Sequence, residues 1–251
     1  MFSPELSISM REANGSRHVD RGVIFDGDDT LWSTEPLYDA ARQRVRELVE
    51  DEGFDGQAWE ELERRLDVEN VESLGHSVDR FPTSCIQAYE AICRSAGRGV
   101  DPAVREKVAS AARVVFDEHA PLLPHALKVL AELRSRGFRL ALLTKGDPCL
   151  QRRRIEQSGL ARLFDVVEIV DRKTPESIMS VLDRLGVEPA HALSVGNSIR
   201  SDVLPSLAAG VRPIWIDAHV WEFEREQEEL ADLRVVEVDD LSGLLDARIA
   251  P

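Results

Sequence analysis

The chain has 251 residues, with 46 acidic against 31 basic side chains and a formal net charge of -15. That balance excludes general binding to nucleic acid or to an anionic membrane. A small anionic ligand is compatible with it, because surface fields are screened within about 8 Å at physiological salt, but would need local positive charge.

The length suits one large domain or a core with an insertion. Residues 1–20 are polar and carry Glu5, Arg11, Glu12 and Arg17. They lack the apolar centre of a secretion signal and read as a flexible tail. Cys85, Cys93 and Cys149 show no CxxC spacing, which fits reduced thiols in a cytoplasmic protein. No apolar run approaches membrane-spanning length.

The apolar run Val23-Ile24-Phe25 predicts a buried strand. It turns abruptly into Asp26, Asp28 and Asp29. Uncompensated carboxylates are costly to bury, so the run must end where a cation, donors or water can reach it. Alternate residues of an extended chain face the same way. Asp26 and Asp28 are therefore expected to point into one space, with Thr30 nearby. Two such carboxylates can hold a hard cation, or divide the work of nucleophile and acid–base. An acidic turn that merely ends a strand is the plain alternative.

A short connection through Pro36 leads into helical spacing. Tyr38, Ala41, Val45, Leu48 and Val49 form one stripe, and Trp59, Leu62 and Leu66 a second. Residues 70–82 read as irregular. Thr83 then caps a helix bearing Ile86, Tyr89, Ile92, Cys93 and Ala96. Val104, Val108, Ala111, Val115 and Phe116 make a fourth stripe. No alternating strand pattern occurs between residues 38 and 118.

From Pro121 the rhythm changes. A helix from Pro124 through Leu127, Leu130 and Leu133 precedes a strand at Arg139–Leu143. A helix to Gly159 precedes a strand at Val166–Ile169. A helix from Pro175 precedes a strand at Ala192–Val195, and a helix through Val203, Leu204 and Leu207 precedes a strand at Arg212–Ile216. Glu222–Leu230 reads as a charged, solvated helix, and Val235-Val236 as an edge strand. Strands alternating with helices imply an α/β fold, a Rossmann-like parallel sheet covered on both faces. The all-helical stretch separates the first strand from its partners. The expected domains are a core of 21–36 and 119–251 and an inserted domain of 37–118.

Polar clusters follow several strands directly: Asp26 to Thr30, Thr144 to Asp147, and Gly196 to Asp202, with Lys173 just past Ile169. Ligands bind beyond the carboxyl ends of strands in open parallel sheets. Asp26-x-Asp28-x-Thr30, then Thr144, then Lys173, then Gly196-Asn197-Ser198-x-x-x-Asp202, in that order, resembles the haloacid dehalogenase superfamily over roughly residues 22–217.

The resemblance implies a magnesium-dependent phosphohydrolase acting on a small phosphorylated metabolite, with 37–118 as a helical cap. Asp26 would be the nucleophile that forms an aspartyl-phosphate. Asp28 would be general acid and then base, its proton held by neighbouring carboxylates. Thr144 and Lys173 would bind the phosphoryl group, with Lys145 at the entrance. Asp26, Asp28, Asn197 and Asp202 would supply oxygens to Mg²⁺. Family members commonly carry an acid where this chain has Asn197, and an amide brings no charge to the metal. A phosphomutase or dehalogenase of the same superfamily, or a non-catalytic binding protein on this fold, are the alternatives. The sequence does not set the oligomeric state.

Around this set, Asp29 is expected to bond loop backbone, Ser198 to cap the following helix, and Asp147 to line the entrance. Trp32 is expected to pack where core and insertion meet, and His219 and Trp221 to pack after the last main strand. His76, His119, His125 and His191 show no metal spacing and read as structural.

Overall fold

The structure is a computed structural model that describes residues 20–216 and 235–246. Residues 1–19 of the expected 1–20 tail, His219, Trp221 and the charged stretch at 222–230 lie outside the described residues. Six parallel strands, β1 (Gly22–Phe25), β2 (Arg139–Lys145), β3 (Val166–Val170), β4 (Ala192–Gly196), β5 (Arg212–Ile216) and β6 (Val236–Val238), form one sheet in the order β3-β2-β1-β4-β5-β6. This is the doubly wound order, in which the chain reverses direction across the sheet between β1 and β4.

β1 is short and wholly buried because it is central. Its alternate residues feed two cores. Val23 and Phe25 pack with Leu140, Leu142, Leu193 and Val195 on one face. Ile24 joins Ala141 and Leu143 on the other. Helix α6 (Ala126–Ser135) covers the first face through Val129, Leu130 and Leu133. Helix α8 (Pro175–Leu185) covers the second through Ile178, Val181, Leu182 and Leu185. Each fully buried aliphatic side chain contributes about 1.5–3 kcal/mol.

Between β1 and α6 the chain is helical: α1 (Glu35–Asp51), α2 (Gly56–Glu69), α3 (Val71–Leu74), α4 (Arg80–Ser95) and α5 (Pro102–Arg113). These helices gather a core of their own around Val45, Val49, Trp59, Phe81, Tyr89 and Val108. Helix α7 (Pro148–Ser158) lies between β2 and β3, and α9 (Leu204–Ala208) between β4 and β5. No described helix is long and apolar enough to cross a membrane.

Several expectations need correction. Helix α1 begins at Glu35, so Pro36 lies inside its first turn and not in a connection ahead of it. Helix α4 begins at Arg80 and runs through Pro82, so Thr83 lies inside the helix and Asp79 stands at its N-cap. The physical reason is the same in both cases. The first-turn amides have no intrahelical partner, so proline costs nothing there. The stretch 70–82 also holds the short helix α3. Leu127 lies off the core face of α6, at 49% exposed.

Candidate active site

The reversal point between β1 and β4 opens into a cleft lined from the sheet side by Asp26, Asp28, Thr144, Lys173, Asn197 and Asp202. Lys145 lines it as well. Every residue singled out for the site thus reaches one cleft, though by different local routes.

Asp26 continues directly from β1 and its amide donates to the Val195 carbonyl at 2.9 Å. The strand alternation expected through Asp28 does not persist. The Gly27 carbonyl accepts from the amides of Thr30, Leu31 and Trp32, which folds the chain back on itself. Asp29 adopts a left-handed conformation, φ 58°. Asp28 therefore reaches the cleft from a turn, not from an extended strand. Gly27 is required by close approach: a Cβ there would lie 2.5 Å from the Trp32 ring and 3.3 Å from Thr144 Oγ1. The Asp29 carboxylate accepts from the Thr34 and Glu35 amides at 2.7 and 3.0 Å and from the Thr34 hydroxyl. It is spent on the entry to α1, as its loop role anticipated.

Lys173 arrives just ahead of α8. Thr174 and Ser177 close a reciprocal capping box there, Thr174 N donating to Ser177 Oγ at 2.9 Å and Ser177 N to Thr174 Oγ1 at 3.2 Å. That cap fixes where the lysine leaves the helix. Its ammonium donates to Asp26 and, at 2.6 Å, to Asp202 Oδ1. Burial pushes the Asp26 carboxyl up to about 7, opposed by Lys173 and reinforced by Asp202 and Asp28. Burial works against the Lys173 ammonium, but Asp202 and Asp26 outweigh it and hold its pKa above the usual value.

After β4 the chain makes a single π-type turn at Ile199–Val203. Ser198 Oγ accepts from Ser201 N at 2.8 Å, the cap expected of it. Asp202 Oδ2 accepts from Ser198 N at 3.0 Å, so both of its oxygens are engaged. A Cβ on Gly196 would lie 2.2 Å from the Asp202 carboxyl carbon, which ties this glycine to the aspartate's position. Asn197 Oδ1 accepts from Thr30 Oγ1 at 3.4 Å and the Asn197 carbonyl from Trp215 Nε1 at 2.9 Å. Lys145 Nζ donates to Ser201 Oγ at 2.6 Å. Thr144 is 1% exposed at the end of β2. Asp147 lines the cleft and also caps α7, accepting from Cys149 N and Leu150 N at 2.9 Å each.

Asp28 is held both from its own turn and from α7. Its contacts are all donors: Trp32 Nε1 at 2.6 Å on Oδ1, and Gln151 Nε2 at 2.8 Å and Arg154 NH1 at 2.7 Å on Oδ2. Gln151 and Arg154 went unread in the sequence. The available signal was two polar residues, three apart, on the buried face of a helix carrying Leu150 and Ile155. Trp32 packs in the core cluster on one face of the sheet, and its indole N–H also reaches Asp28. His76 lines the cleft, where a purely structural role was expected. The inserted helices supply the opposite wall through Tyr38, Arg42, Arg80 and Phe81.

Asp26 and Asn197 present hard oxygens, and the buried carboxylates exceed the cations beside them. That donor set suits a small divalent cation better than a soft metal.

Comparison with known proteins agrees with this geometry. A family model described as haloacid dehalogenase-like hydrolase matches residues 21–210. A phosphoserine phosphatase of Thermus thermophilus is 31% identical over 239 residues, covering 85% of this chain and 94% of the relative. A glyceraldehyde 3-phosphate phosphatase of Methanothermobacter thermautotrophicus is 26% identical over 230 residues, covering 89% and 97%. The crystal structure of a haloacid dehalogenase-like hydrolase from Xanthomonas campestris superposes with a TM-score of 0.72 at 27% identity, covering 92% of this chain and 91% of that one. With the strand order, the cleft at the reversal point and a family match across most of its length, the chain belongs to the haloacid dehalogenase-like hydrolases.

Proposed function

We propose that this protein is a magnesium-dependent phosphatase that removes the phosphoryl group from a small phosphorylated metabolite by way of Asp26. The observation that carries this reading is the buried Asp26 at the tip of the central strand. It shares Lys173 with Asp202 and faces a cleft that Asp28 also lines. Relatives named as phosphatases of phosphoserine and of glyceraldehyde 3-phosphate support a compact, polar substrate.

The free oxygen of Asp26 attacks phosphorus and forms an aspartyl-phosphate, which divides one hard displacement into two. Lys173 favours the ionised form of the attacking carboxylate against the push of burial and steadies the phosphoryl oxygens. Thr144 donates to those oxygens, and Lys145 adds positive charge at the rim. Asp28 protonates the departing oxygen in the first step. In the second it takes a proton from water as the water oxygen attacks phosphorus and Asp26 is released. Magnesium would be held by oxygens drawn from Asp26, Asp28, Asn197 and Asp202, with Asp202 also bonding Lys173 and the Ser198 amide. When bound it supplies charge that offsets repulsion between carboxylates and phosphate. A dehalogenase would give Asp28 no work, because a halide leaves without a proton.

In this reading residues 37–118 act as a cap that closes over the substrate. Three cysteines without a disulfide fit a reducing, cytoplasmic setting. Hydrolysis of p-nitrophenyl phosphate with and without Mg²⁺, followed by a panel of phosphorylated metabolites, tests the proposal. The expected result is turnover that needs Mg²⁺ and is suppressed by Ca²⁺, whose longer bonds and larger ligand number misplace Asp26. Full turnover in excess chelator would overturn it.

A further inference from the structure

Asp28 is held more firmly than its own turn requires. Both oxygens accept from side chains, and two of the three donors, Gln151 and Arg154, come from α7 and are 1% and 5% exposed. Each also keeps a buried atom without a hydrogen-bond partner, Gln151 Oε1 and Arg154 NH2. Both side chains also line the cleft.

The other side of α7 rests on the inserted helices. Leu150 belongs to their apolar core. Arg153 donates to the Phe116 carbonyl and lies 3.7 Å from Asp117. Tyr38 of α1 lies beside Arg154 on the wall of the same cleft. One short helix therefore touches Asp28 and the insertion together.

We propose that Arg154 and Gln151 are positioning residues for Asp28, and that α7 ties the placement of this acid–base to the seating of the inserted helices. The proposal rests on the phosphatase reading above. In the first step Asp28 gives its proton to the leaving oxygen as the P–O bond breaks, and the carboxylate so formed is received by Arg154 and Gln151. In the second step water loses a proton to that carboxylate as its oxygen bonds phosphorus and the Asp26–phosphorus bond breaks. The proton gained serves the next turnover.

The test compares Arg154→Met and Arg154→Lys with the unaltered protein and Asp28→Asn, using an alkyl phosphate and p-nitrophenyl phosphate. For the alkyl phosphate, Arg154→Met should lose about 10²-fold in kcat/KM, the lower end of the range for losing acid–base catalysis, with the loss in kcat and little change in KM. For p-nitrophenyl phosphate, whose leaving group needs no proton, kcat/KM should fall far less. Rapid quench should then show phosphorylated Asp26 accumulating, because the second step still needs a base. Arg154→Lys should recover part of the loss. Equal losses on both substrates, or a folded Arg154→Met with unchanged kinetics, overturn the proposal. If Arg154→Met does not fold, Gln151→Leu carries the same comparison. If the unaltered protein hydrolyses neither ester with Mg²⁺, the phosphatase reading itself fails. If Asp28→Asn discriminates between the esters and the α7 variants do not, only the positioning role fails.

Discussion

Two buried ion-pair clusters face the cleft from opposite sides. At the strand tips a single ammonium, Lys173, serves two carboxylates, Asp26 and Asp202. In the inserted helices each buried acid has its own guanidinium, Glu63 with Arg42 at 3.0 Å and Asp67 with Arg80. Burial pushes both Asp26 and Glu63 up to about 7, so a displaced pKa does not separate the two clusters. Charge balance does. The strand-tip cluster carries an excess of carboxylate that a bound cation can relieve, two acids to one ammonium. The helical cluster pairs its two acids one to one with guanidinium groups and ties α1 to α2 and α2 to α4. Perturbed acids mark candidate sites, but ion-pair networks perturb them as well.

The largest expected effect breaks the strand-tip cluster. Asp26→Asn removes the nucleophilic charge at nearly constant shape, so turnover should fall to background while circular dichroism and the unfolding midpoint change little. Substantial residual turnover would move the nucleophile elsewhere. Next comes stability in the helical cluster. Glu63→Ala strands Arg42 in a buried setting, and removing one partner of a buried pair costs about 3–5 kcal/mol. Denaturant unfolding should show that loss, while kcat measured well below the new midpoint persists. A selective loss of kcat would instead join the two clusters functionally.

Asn197→Asp sharpens the charge argument. An added ligand charge should tighten Mg²⁺ on the order of tenfold, read as the metal concentration at half-maximal rate. Unchanged or weaker metal dependence would exclude Asn197 from the metal's surroundings.

The smallest effect concerns Glu35, whose carboxyl burial pushes up to about 7, with Asp29 adding repulsion and Arg42 opposing it. A carboxyl raised above its unfolded value binds protons more tightly in the folded state. Its contribution is therefore fully present below the unfolded value of 4.5 and is lost as pH rises through about 7. Glu35→Gln should flatten this decline, worth about 1–3 kcal/mol, in unfolding measured across that window. An unaltered slope would place the Glu35 carboxyl in water.

The order of elements was readable from the chain because hydrophobic period and breakers are local properties. The apolar run before Asp26, the helical stripes between residues 38 and 118, and the strand–helix rhythm after Pro121 each specify an element without its neighbours. The meeting of Asp26, Thr144, Lys173 and Asp202 in one cleft was readable for the same reason: polar residues directly after buried strands must meet at one sheet edge. Helix starts at Glu35 and Arg80 were misplaced because proline is compatible with a first turn as well as with a connection. What only tertiary structure decided is how each carboxylate is used. Asp202 divides its oxygens between Lys173 and the Ser198 amide, Asp29 turns to the entry of α1, and Asp28 is taken by Trp32, Gln151 and Arg154. Those partners lie up to 126 residues away in the chain. A carboxylate's role depends on which donors reach it through space, and neither periodicity nor motif spacing records that.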